Sequence, residues 1–500
     1  MHLRLFLSLC FFIVVSQAIA QILPKEGSML NFRLIGFSFP GTDNTAEYSI
    51  EIANGNYDSD GQFKKKIIKT LFCKENKLIA EVPLWGEQYT WRTVAKGNNS
   101  RKIKSEFHHF STILNPDMDT SNMRLRVTEP ARQIQSGYIW LDQNKAMYDL
   151  EGRPLWFLPG KVFSKKGIKD FKLSPQATIT MIAGEEIYEV NYLGDILWKG
   201  PNTGIISGDS IEHYHHEFTR LANGHYMVLG NEKPVLMAVY QDSSSLNANT
   251  NKMMVDSKAG LPQSVMPTLI EYDEKGNIVW SWKCADYLKQ SDLYYDPPGI
   301  FAKETIDIHA NSFDFDEVNQ MIYISFKNIS RVLKLKYPEA TVVNAYGEIY
   351  KPNSPVGDNA LFCQQHCVKH SDKGYLYLFN NNACHPQDMP SLVLMEEPGP
   401  GVNELKKMWE YKCTADSSYQ HVPIATGGDV IELEGDAFFV CTGIPNSKLF
   451  IVNRDRNILW SATPEKWDPV KKKWYTIPQY RASITTDYEK IKKLIWNSEN

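Results

Sequence analysis

The chain lacks several features that would assign its class at once. Beyond its first twenty residues, no apolar run approaches the length of a membrane-spanning helix. Lysine and arginine total 54 against 58 aspartates and glutamates, so there is no basic excess of the kind that binds nucleic acid. No phosphate-binding loop or dinucleotide fingerprint is present. These absences argue against a membrane-spanning, nucleic-acid-binding or nucleotide-dependent protein.

Cysteine is scarce, with eight residues in the chain. One of them lies in residues 1–20, which predict a secretory signal peptide: Arg4 is followed by the apolar run 5–15 and by the small-residue cleavage pattern at 18–20. Export permits disulfides, and an odd number of mature cysteines leaves at least one thiol unpaired. Cys363, Cys367 and Cys384 surround one histidine-bearing hairpin. A disulfide there would brace it, although the sequence leaves the connectivity open.

Aromatic residues are plentiful, at 12% of the chain, and many stand at strand-like positions, which favours an all-β protein. A phrase of two short apolar strands around a polar turn, mostly ending at tryptophan, recurs six times after residue 126. The copies lie at 148–158, 188–200, 270–282, 333–347, 394–411 and 450–462. With further strand pairs between the copies, this spacing predicts a six-bladed β-propeller over residues 126–500. A Ser/Asn/Met-rich insert at about 233–267 is predicted to be a surface loop.

Residues 21–125 show a different pattern. Segments at 30–40, 46–54, 77–84 and 89–97 alternate apolar and polar residues at period two. They predict a small β-sandwich of the fibronectin-III-like kind ahead of the propeller. The segment 475–483 is expected to pair with the first blade and close the ring, because an unpaired edge strand would otherwise remain exposed.

Three histidines stand just ahead of strand-like hairpins in successive repeats. His216 and His366 lie at the same offset from the glycines of their turns, Gly224 and Gly374, and His309 lies slightly further from its own turn. If the repeats surround a common axis, the three imidazoles converge. Convergence at matching repeat positions predicts a site rather than three unrelated core histidines.

Other donors accompany these rings. Asn311 alternates with His309 on one strand edge, Lys327 follows on the neighbouring strand, and Gln365 precedes His366. A cationic lysine, amides and several imidazoles suit a substrate that carries an anionic tetrahedral group.

The ordered motifs His-His-Glu at 215–217, His-x-Asn-Ser at 309–312 and Gln-His at 365–366 resemble those of the bacterial periplasmic arylsulfotransferase family, whose members do not use the nucleotide sulfate donor. The resemblance covers essentially the whole mature chain. It implies an enzyme with a β-sandwich and a six-bladed propeller, acting in the periplasm or after secretion. It implies an aryl sulfate donor, a phenolic acceptor and no cofactor or metal.

The same resemblance implies roles for individual residues. His366 matches the nucleophile that becomes transiently sulfated, and His309 matches the group that handles the leaving-group proton. His216, or else His215, matches the remaining site histidine. Asn311 matches a contact to the sulfuryl oxygens. Lys327 stands where the family usually has arginine, so a single point charge replaces a bidentate fork.

Two other functions remain open from the sequence. His213, His215, His216 and Glu217 offer ligands for a divalent metal, as in a propeller lyase or hydrolase acting on polysaccharide. An exported propeller can also bind glycans or proteins without catalysis, and Lys327 would then mark a lost activity. The sequence does not identify the physiological donor and acceptor, and it leaves open whether the chain forms a homodimer.

Overall fold

The structure, a computed structural model, is dominated by β-strands. It describes residues 21–42, 45–97, 101–159, 163, 166–233, 235–236, 263–288, 305–347, 360–385, 388–413, 426–445 and 447–497. The predicted signal peptide lies outside these residues, as does most of the predicted insert. The chain divides into two compact units, Met1–Leu114 and Asn115–Asn500. In the described part of the chain, no helix combines the length and apolar character needed to cross a membrane.

The first unit contains a six-stranded and a two-stranded sheet. The larger sheet consists of strands Ser28–Leu30, Thr45–Asn54, Ile67–Cys73, Gln88–Gly97, Lys102–Lys104 and His108–Thr112, and the smaller of Leu34–Ser38 and Lys77–Glu81. A short helix, Asp60–Lys65, joins two strands. The Phe37 ring lies 5.1 Å from Trp91 and 6.0 Å from Phe110. The two sheets therefore pack face to face around an aromatic core, and each of the four predicted strand segments contains a strand.

The second unit contains, among its described residues, six antiparallel sheets of four or more strands. In chain order their strands are Tyr138–Leu141, Ala146–Asp149, Pro154–Phe157 and Ala482–Thr485 (first sheet); Ile168–Leu173, Ile179–Ala183, Glu186–Val190 and Ile196–Lys199 (second); Phe218–Arg220, Tyr226–Asn231, Pro267–Tyr272 and Ile278–Lys283 (third); Ala310–Asp316, Met321–Phe326, Arg331–Lys336 and Thr341–Tyr346 (fourth); His366–His370, Tyr375–Asn380, Ser391–Glu396 and Lys406–Lys412 (fifth); and Met123–Glu129, Asp429–Leu433, Ala437–Cys441, Leu449–Asn453, Ile458–Asp468 and Lys473–Thr476 (sixth).

Smaller elements accompany these sheets. Strands Val235–Leu236, Gln263–Val265 and Thr305–Asp307 form a separate three-stranded sheet. Two short 3-10 helices, Pro116–Met118 and Cys284–Asp286, lie in connections, and the helix Tyr488–Asn497 follows the last strand.

The six predicted hairpins each form a pair of neighbouring strands in one of the six sheets. Their tryptophans explain the repeated pattern, because several indole N–H groups donate to a turn carbonyl of the next sheet. Trp156 donates to the Tyr192 carbonyl at 2.5 Å, and Trp460, in the sixth sheet, donates to the Leu150 carbonyl of the first sheet at 2.7 Å. The corresponding bonds of Trp280 and Trp409 connect the third sheet to the fourth and the fifth to the sixth.

The remaining two junctions use other side chains. Trp198 of the second sheet stacks on Tyr226 of the third at 3.8 Å between ring centroids, and the Asn344 amide of the fourth sheet donates to the Val402 carbonyl of the fifth at 2.9 Å. The first sheet also joins the two ends of this unit, since Tyr138–Leu141 pairs with Ala482–Thr485. The strand that makes this closure starts near the end of the predicted segment. The earlier part of that segment begins within strand Lys473–Thr476, which pairs in the sixth sheet.

Candidate active site

The predicted site histidines stand where the first strands of three consecutive sheets begin. His216 precedes Phe218–Arg220, His309 precedes Ala310–Asp316, and His366 begins His366–His370. His216 and His309 have left-handed backbones, with φ of 61° and 57°. This conformation is uncommon for residues other than glycine and is found at sites that the surrounding structure holds in place.

Bonds between neighbouring first strands position the starts at His216 and His366. The Phe218 amide donates to an Asp170 carboxylate oxygen at 2.7 Å, and the Val368 amide donates to the Ser312 hydroxyl at 3.0 Å. These bonds place equivalent positions of neighbouring sheets side by side. The sequence prediction of convergence depended on this geometry.

Two independent bonds fix the tautomer of His366, whose side chain is 1% exposed. The Asn381 amide donates to the Gly427 carbonyl at 3.0 Å, which turns its oxygen toward His366 Nδ1 at 2.6 Å. Since that oxygen only accepts, Nδ1 carries the proton. The Gly427 N–H then donates to Nε2 at 3.2 Å, which shows that Nε2 carries the lone pair.

The surroundings also keep this ring neutral. Burial lowers the pKa of His366 well below its ordinary value, and the charges of Lys327 and Arg481 lower it further, whereas the bond to Asn381 opposes them. At neutral pH, His366 is therefore an uncharged imidazole with an unprotonated Nε2, the form that a nucleophile requires.

His216 belongs to the same cluster, and its ring is hydrogen-bonded to that of His215. The His216 ring lies 4.8 Å from that of His309, while its Nδ1 lies 2.6 Å from His215 Nδ1. His215 Nε2 faces the Gly230 carbonyl at 3.2 Å and must donate to it. In a neutral His215, Nδ1 then accepts, so His216 Nδ1 donates and His216 Nε2 carries the lone pair. Burial and the neighbouring histidines lower the pKa of His216 well below its ordinary value.

His309 and Lys327 are half-buried and adjacent across two strands, since the Lys327 amide donates to the His309 carbonyl at 3.0 Å. Both lie close enough to His366 to act on its pKa. Asn311 is fully buried, and its amide donates to the Gln365 carbonyl at 2.7 Å while its side-chain oxygen has no partner among the described residues.

Gln365 is also buried, and its amide nitrogen contacts oxygens of the fourth sheet. It lies 3.1 Å from the Ser325 hydroxyl, 3.2 Å from the Phe326 carbonyl and 3.0 Å from the Arg331 carbonyl. This side chain therefore connects the strand that carries His366 to the sheet that carries His309.

Sequence reasoning did not single out Asn381, Tyr480, Arg481 or Lys169. Asn381 directly follows strand Tyr375–Asn380, and Tyr480 and Arg481 lie in the segment expected to close the ring. The Tyr480 ring lies 5.5 Å from His216 and 5.9 Å from His366. The available signal was positional, because Tyr480 and Arg481 immediately precede the strand of the first sheet that matches the histidine-bearing strands.

A buried layer of charges lies next to the histidines. Arg481, 2% exposed at its side chain, pairs with Glu217 and with Asp170 at 3.2 Å, and donates to the Asn311 carbonyl at 2.5 Å. Glu217 also accepts from Lys172 at 2.8 Å and Lys369 at 3.3 Å. Glu217 is therefore the carboxylate shared by three cations.

The candidate metal ligands do not converge. His213 pairs with Asp209 at 3.0 Å and with Glu185 at 3.4 Å, while Glu217 contacts the three cations. In the described ranges, no group of three or more histidine, cysteine or acidic side chains is arranged to hold a metal ion.

Among the described residues, one disulfide links Cys363 to Cys384. It links the segment before His366 to the segment after Asn381, and the Cys363 amide also donates to the Asn380 side chain at 2.9 Å. Cys367 remains a thiol, 2.6 Å from an Asp429 oxygen. The predicted cluster of three cysteines thus provides one bridge, and the bridge joins the chain segments on either side of His366 and Asn381.

Comparison with solved structures finds distant likenesses. A protein of unknown function from Bacteroides caccae is 10% identical with a TM-score of 0.37, over 66% of this chain and 93% of that chain. An auxiliary nutrient binding protein from Bacteroides thetaiotaomicron is 10% identical with a TM-score of 0.35, over 93% and 96%. Apo AztD from Citrobacter koseri is 7% identical with a TM-score of 0.33, over 88% and 98%. Likeness at this level does not bear on function.

Among curated proteins, none matches the chain. The model of one protein family does match: Arylsulfotransferase (ASST), over residues 134–399. The matched range contains the strands that carry His216, His309, Lys327 and His366, and it covers more than half of the sequence. The chain belongs to the arylsulfotransferase (ASST) family.

Proposed function

We propose that the protein transfers a sulfuryl group from an aryl sulfate ester to a phenol through a covalent intermediate on His366, without a nucleotide donor. The observation that carries the proposal is the state of His366: it is buried and uncharged, with Nδ1–H held by Asn381 and the lone pair on Nε2. A nucleophile in this state needs no prior deprotonation.

In the first step, His366 Nε2 forms a bond to sulfur while the bond from sulfur to the phenolic oxygen breaks. The Gly427 N–H must release Nε2 as the donor enters, because both use the same lone pair. The Nδ1 proton stays on the ring, and the Asn381 oxygen stabilises the positive charge that the ring acquires. The phenolate leaves and takes a proton from His309.

In the second step, a phenol replaces the first and gives its proton to the group that protonated the leaving oxygen. Its oxygen then takes the sulfuryl group from Nε2, which restores the neutral imidazole. His216 presents an unprotonated Nε2 beside His309 and can share this proton. The sulfuryl oxygens carry diffuse negative charge, which Lys327 and the Asn311 side chain stabilise.

The architecture supports a central site. The contacts from each sheet to the next, and from the sixth back to the first, support six blades around an axis. The face-to-face sheets of the first unit support a β-sandwich, proposed here as fibronectin-III-like, with the domains at 21–125 and 126–500. A disulfide persists in oxidising compartments, which supports export to the periplasm or beyond.

The proposal is tested by intact mass. Brief exposure of the mature protein to 4-nitrophenyl sulfate at mildly alkaline pH is expected to add one sulfuryl group, about 80 Da, to a histidine nucleophile. Peptide mapping should place it on His366, and added phenol should remove it. A His225→Ala variant is the matched control, since His225 pairs with Glu271 away from the cluster and should leave the adduct intact. Absence of any adduct over a range of donors would instead indicate a binding protein with an inactive site.

Lys327 gives a prediction about the departure from the family pattern. Lys327→Met should lower the rate of adduct formation about 100-fold, the scale for removing one preorganised donor to a developing anion. Lys327→Arg should retain or improve donor binding, because its planar fork binds two sulfuryl oxygens. Stopped-flow release of 4-nitrophenolate measures both variants. A Lys327→Met enzyme as fast as the unmodified one would contradict the assigned role.

A further inference from the structure

Tyr480 brings a buried polar atom to the histidine cluster. The Tyr480 hydroxyl is buried and makes no hydrogen bond with any described residue. Its ring nevertheless lies between two site histidines, 5.5 Å from His216 and 5.9 Å from His366. Burying a hydroxyl without a partner destabilises a folded protein, so an unpaired one inside a site is available to a ligand.

The backbone fixes Tyr480 relative to the nucleophile. The Tyr480 carbonyl accepts from the Gly428 amide at 3.0 Å, and the adjacent Gly427 amide donates to His366 Nε2. Gly427 has φ of 77°, and a Cβ at that position would overlap the Tyr480 carbonyl oxygen. Tyr480 and His366 are therefore held at a set separation by the same two glycines.

A cation lies near the Tyr480 ring. Lys169 is exposed, its Nζ lies 5.8 Å from the centre of that ring, and it has no ion pair within the described residues. It occupies a bulge in the first strand of the second sheet, where the register shifts between Lys169 and Lys172. The equivalent strand starts of the third and fifth sheets carry His216 and His366, so Lys169 is the second sheet's contribution to the same cluster.

We propose that Lys169 and Tyr480 form an anion-binding pair that helps to hold the sulfate group of the donor beside His366. The inference rests on the proposed function. Lys169 supplies an ammonium at the exposed side, and Tyr480 supplies an O–H donor at the buried side. The arginine that the family usually has in place of Lys327 would donate two hydrogen bonds from one planar group. Lys169 and Tyr480 together provide the donors that Lys327 alone does not. Burial raises the pKa of Tyr480, so its hydroxyl remains a donor across the working range.

The chain offers a matched pair for comparison. Tyr475 also has a buried hydroxyl without a partner among the described residues, and Lys473 lies 4.5 Å from its ring, but this pair stands on strand Lys473–Thr476 with no site histidine. Tyr475→Phe and Lys473→Met therefore remove the same atoms from the same kind of contact away from the cluster.

The test measures single-turnover formation of the His366 adduct against donor concentration. Tyr480→Phe is expected to slow adduct formation about 10- to 100-fold, the range for loss of one or two donors to the reacting group. It should not lower Tm, since the lost hydroxyl has no hydrogen-bond partner among the described residues. Lys169→Met should chiefly weaken donor affinity, by about tenfold, and Lys169→Arg should restore it. The Tyr475 and Lys473 variants should match the unmodified protein. Rates and affinities within about twofold of the unmodified protein for both site variants would overturn the proposal.

A second measurement separates this inference from the proposed function. Inorganic sulfate, used as the probe without any turnover, should raise the Tm of the unmodified protein because it binds the folded state. The shift should be absent in the Lys169→Met, Tyr480→Phe double variant and retained in the Lys473→Met, Tyr475→Phe double variant. If the unmodified protein forms no adduct but the three proteins show these Tm shifts, the transfer mechanism is contradicted and the anion-binding pair is supported. Equal shifts in all three proteins would overturn the pair alone.

Discussion

Replacing His366 with glycine is expected to abolish sulfuryl transfer. Loss of a catalytic nucleophile costs about 10⁴-fold or more in turnover. Asn381 holds the Nδ1 of His366, whereas the Nδ1 of His216 contacts His215. Neither the mass increase nor the release of phenol should remain. The measurement is steady-state turnover of 4-nitrophenyl sulfate with a phenol acceptor, beside intact mass.

Chemical rescue distinguishes a lost nucleophile from a damaged fold. Glycine leaves a space the size of the imidazole, so added imidazole should enter and take the sulfuryl group from the donor. The product is free N-sulfoimidazole, which passes the group to phenol without any adduct on the protein. Turnover should therefore rise with imidazole concentration in His366→Gly and not in the unmodified protein. Full activity in His366→Gly without imidazole would show that another group receives the sulfuryl group.

The sequence predicted the cluster of site residues better than it predicted their orientation. Repeated offsets placed His216, His309 and His366 at equivalent strand starts. In the structure the rings of His216 and His309 are in contact, and His309 is close enough to His366 to lower its pKa. Which of His215 and His216 lies beside His309 was not predictable from the sequence, because neighbouring residues in a strand point to opposite sides unless the backbone bends. His216 has φ of 61°, and residue types alone do not predict a single non-glycine residue with a left-handed backbone.

Residues that act across sheets were the ones the sequence missed. Tyr480 and Arg481 are distant in the chain from every histidine and reach the cluster only because Ala482–Thr485 pairs with Tyr138–Leu141. The pairing was expected, but the side chains that it would bring to the site were not. The role of the tryptophans was missed for the same reason: their repetition predicted hairpins, whereas the indole bonds to the neighbouring sheet are long-range contacts.

The second large effect concerns stability and arises at Glu217. This carboxylate is 1% exposed and is shared by Arg481, Lys172 and Lys369. Glu217→Leu removes the shared anion and leaves three cations in a buried layer. Breaking a buried ion pair by removing one partner costs about 3–5 kcal/mol, so the free energy of unfolding should fall by at least that amount. Urea denaturation measures it, with Glu151→Leu as a control, since Glu151 is exposed and its contact with Arg153 is worth little.

A double variant shows whether charge or packing causes the loss. Glu217→Leu combined with Lys369→Met removes one anion and one cation, so fewer unpaired charges remain buried. The double variant should be more stable than Glu217→Leu alone. Its loss in unfolding free energy should therefore be smaller than the sum of the losses in the two single variants. If the two losses simply add, Glu217 stabilises the fold through its volume and not through its charge.

Acid should reproduce this loss in the unmodified protein. Burial alone would raise the pKa of Glu217, but Arg481, Lys172 and Lys369 outweigh burial and hold that pKa well below its usual range. A carboxylate with a depressed pKa in the folded state stabilises the fold fully above its unfolded pKa, about 4.3. The contribution declines as pH falls below that value toward the folded pKa. The unfolding free energy of the unmodified protein should thus fall more steeply below about pH 4.5 than that of Glu217→Leu, because the variant has already lost the titrating group. Parallel pH profiles for the two proteins would show that the cations are balanced by Asp170 and the other nearby carboxylates instead.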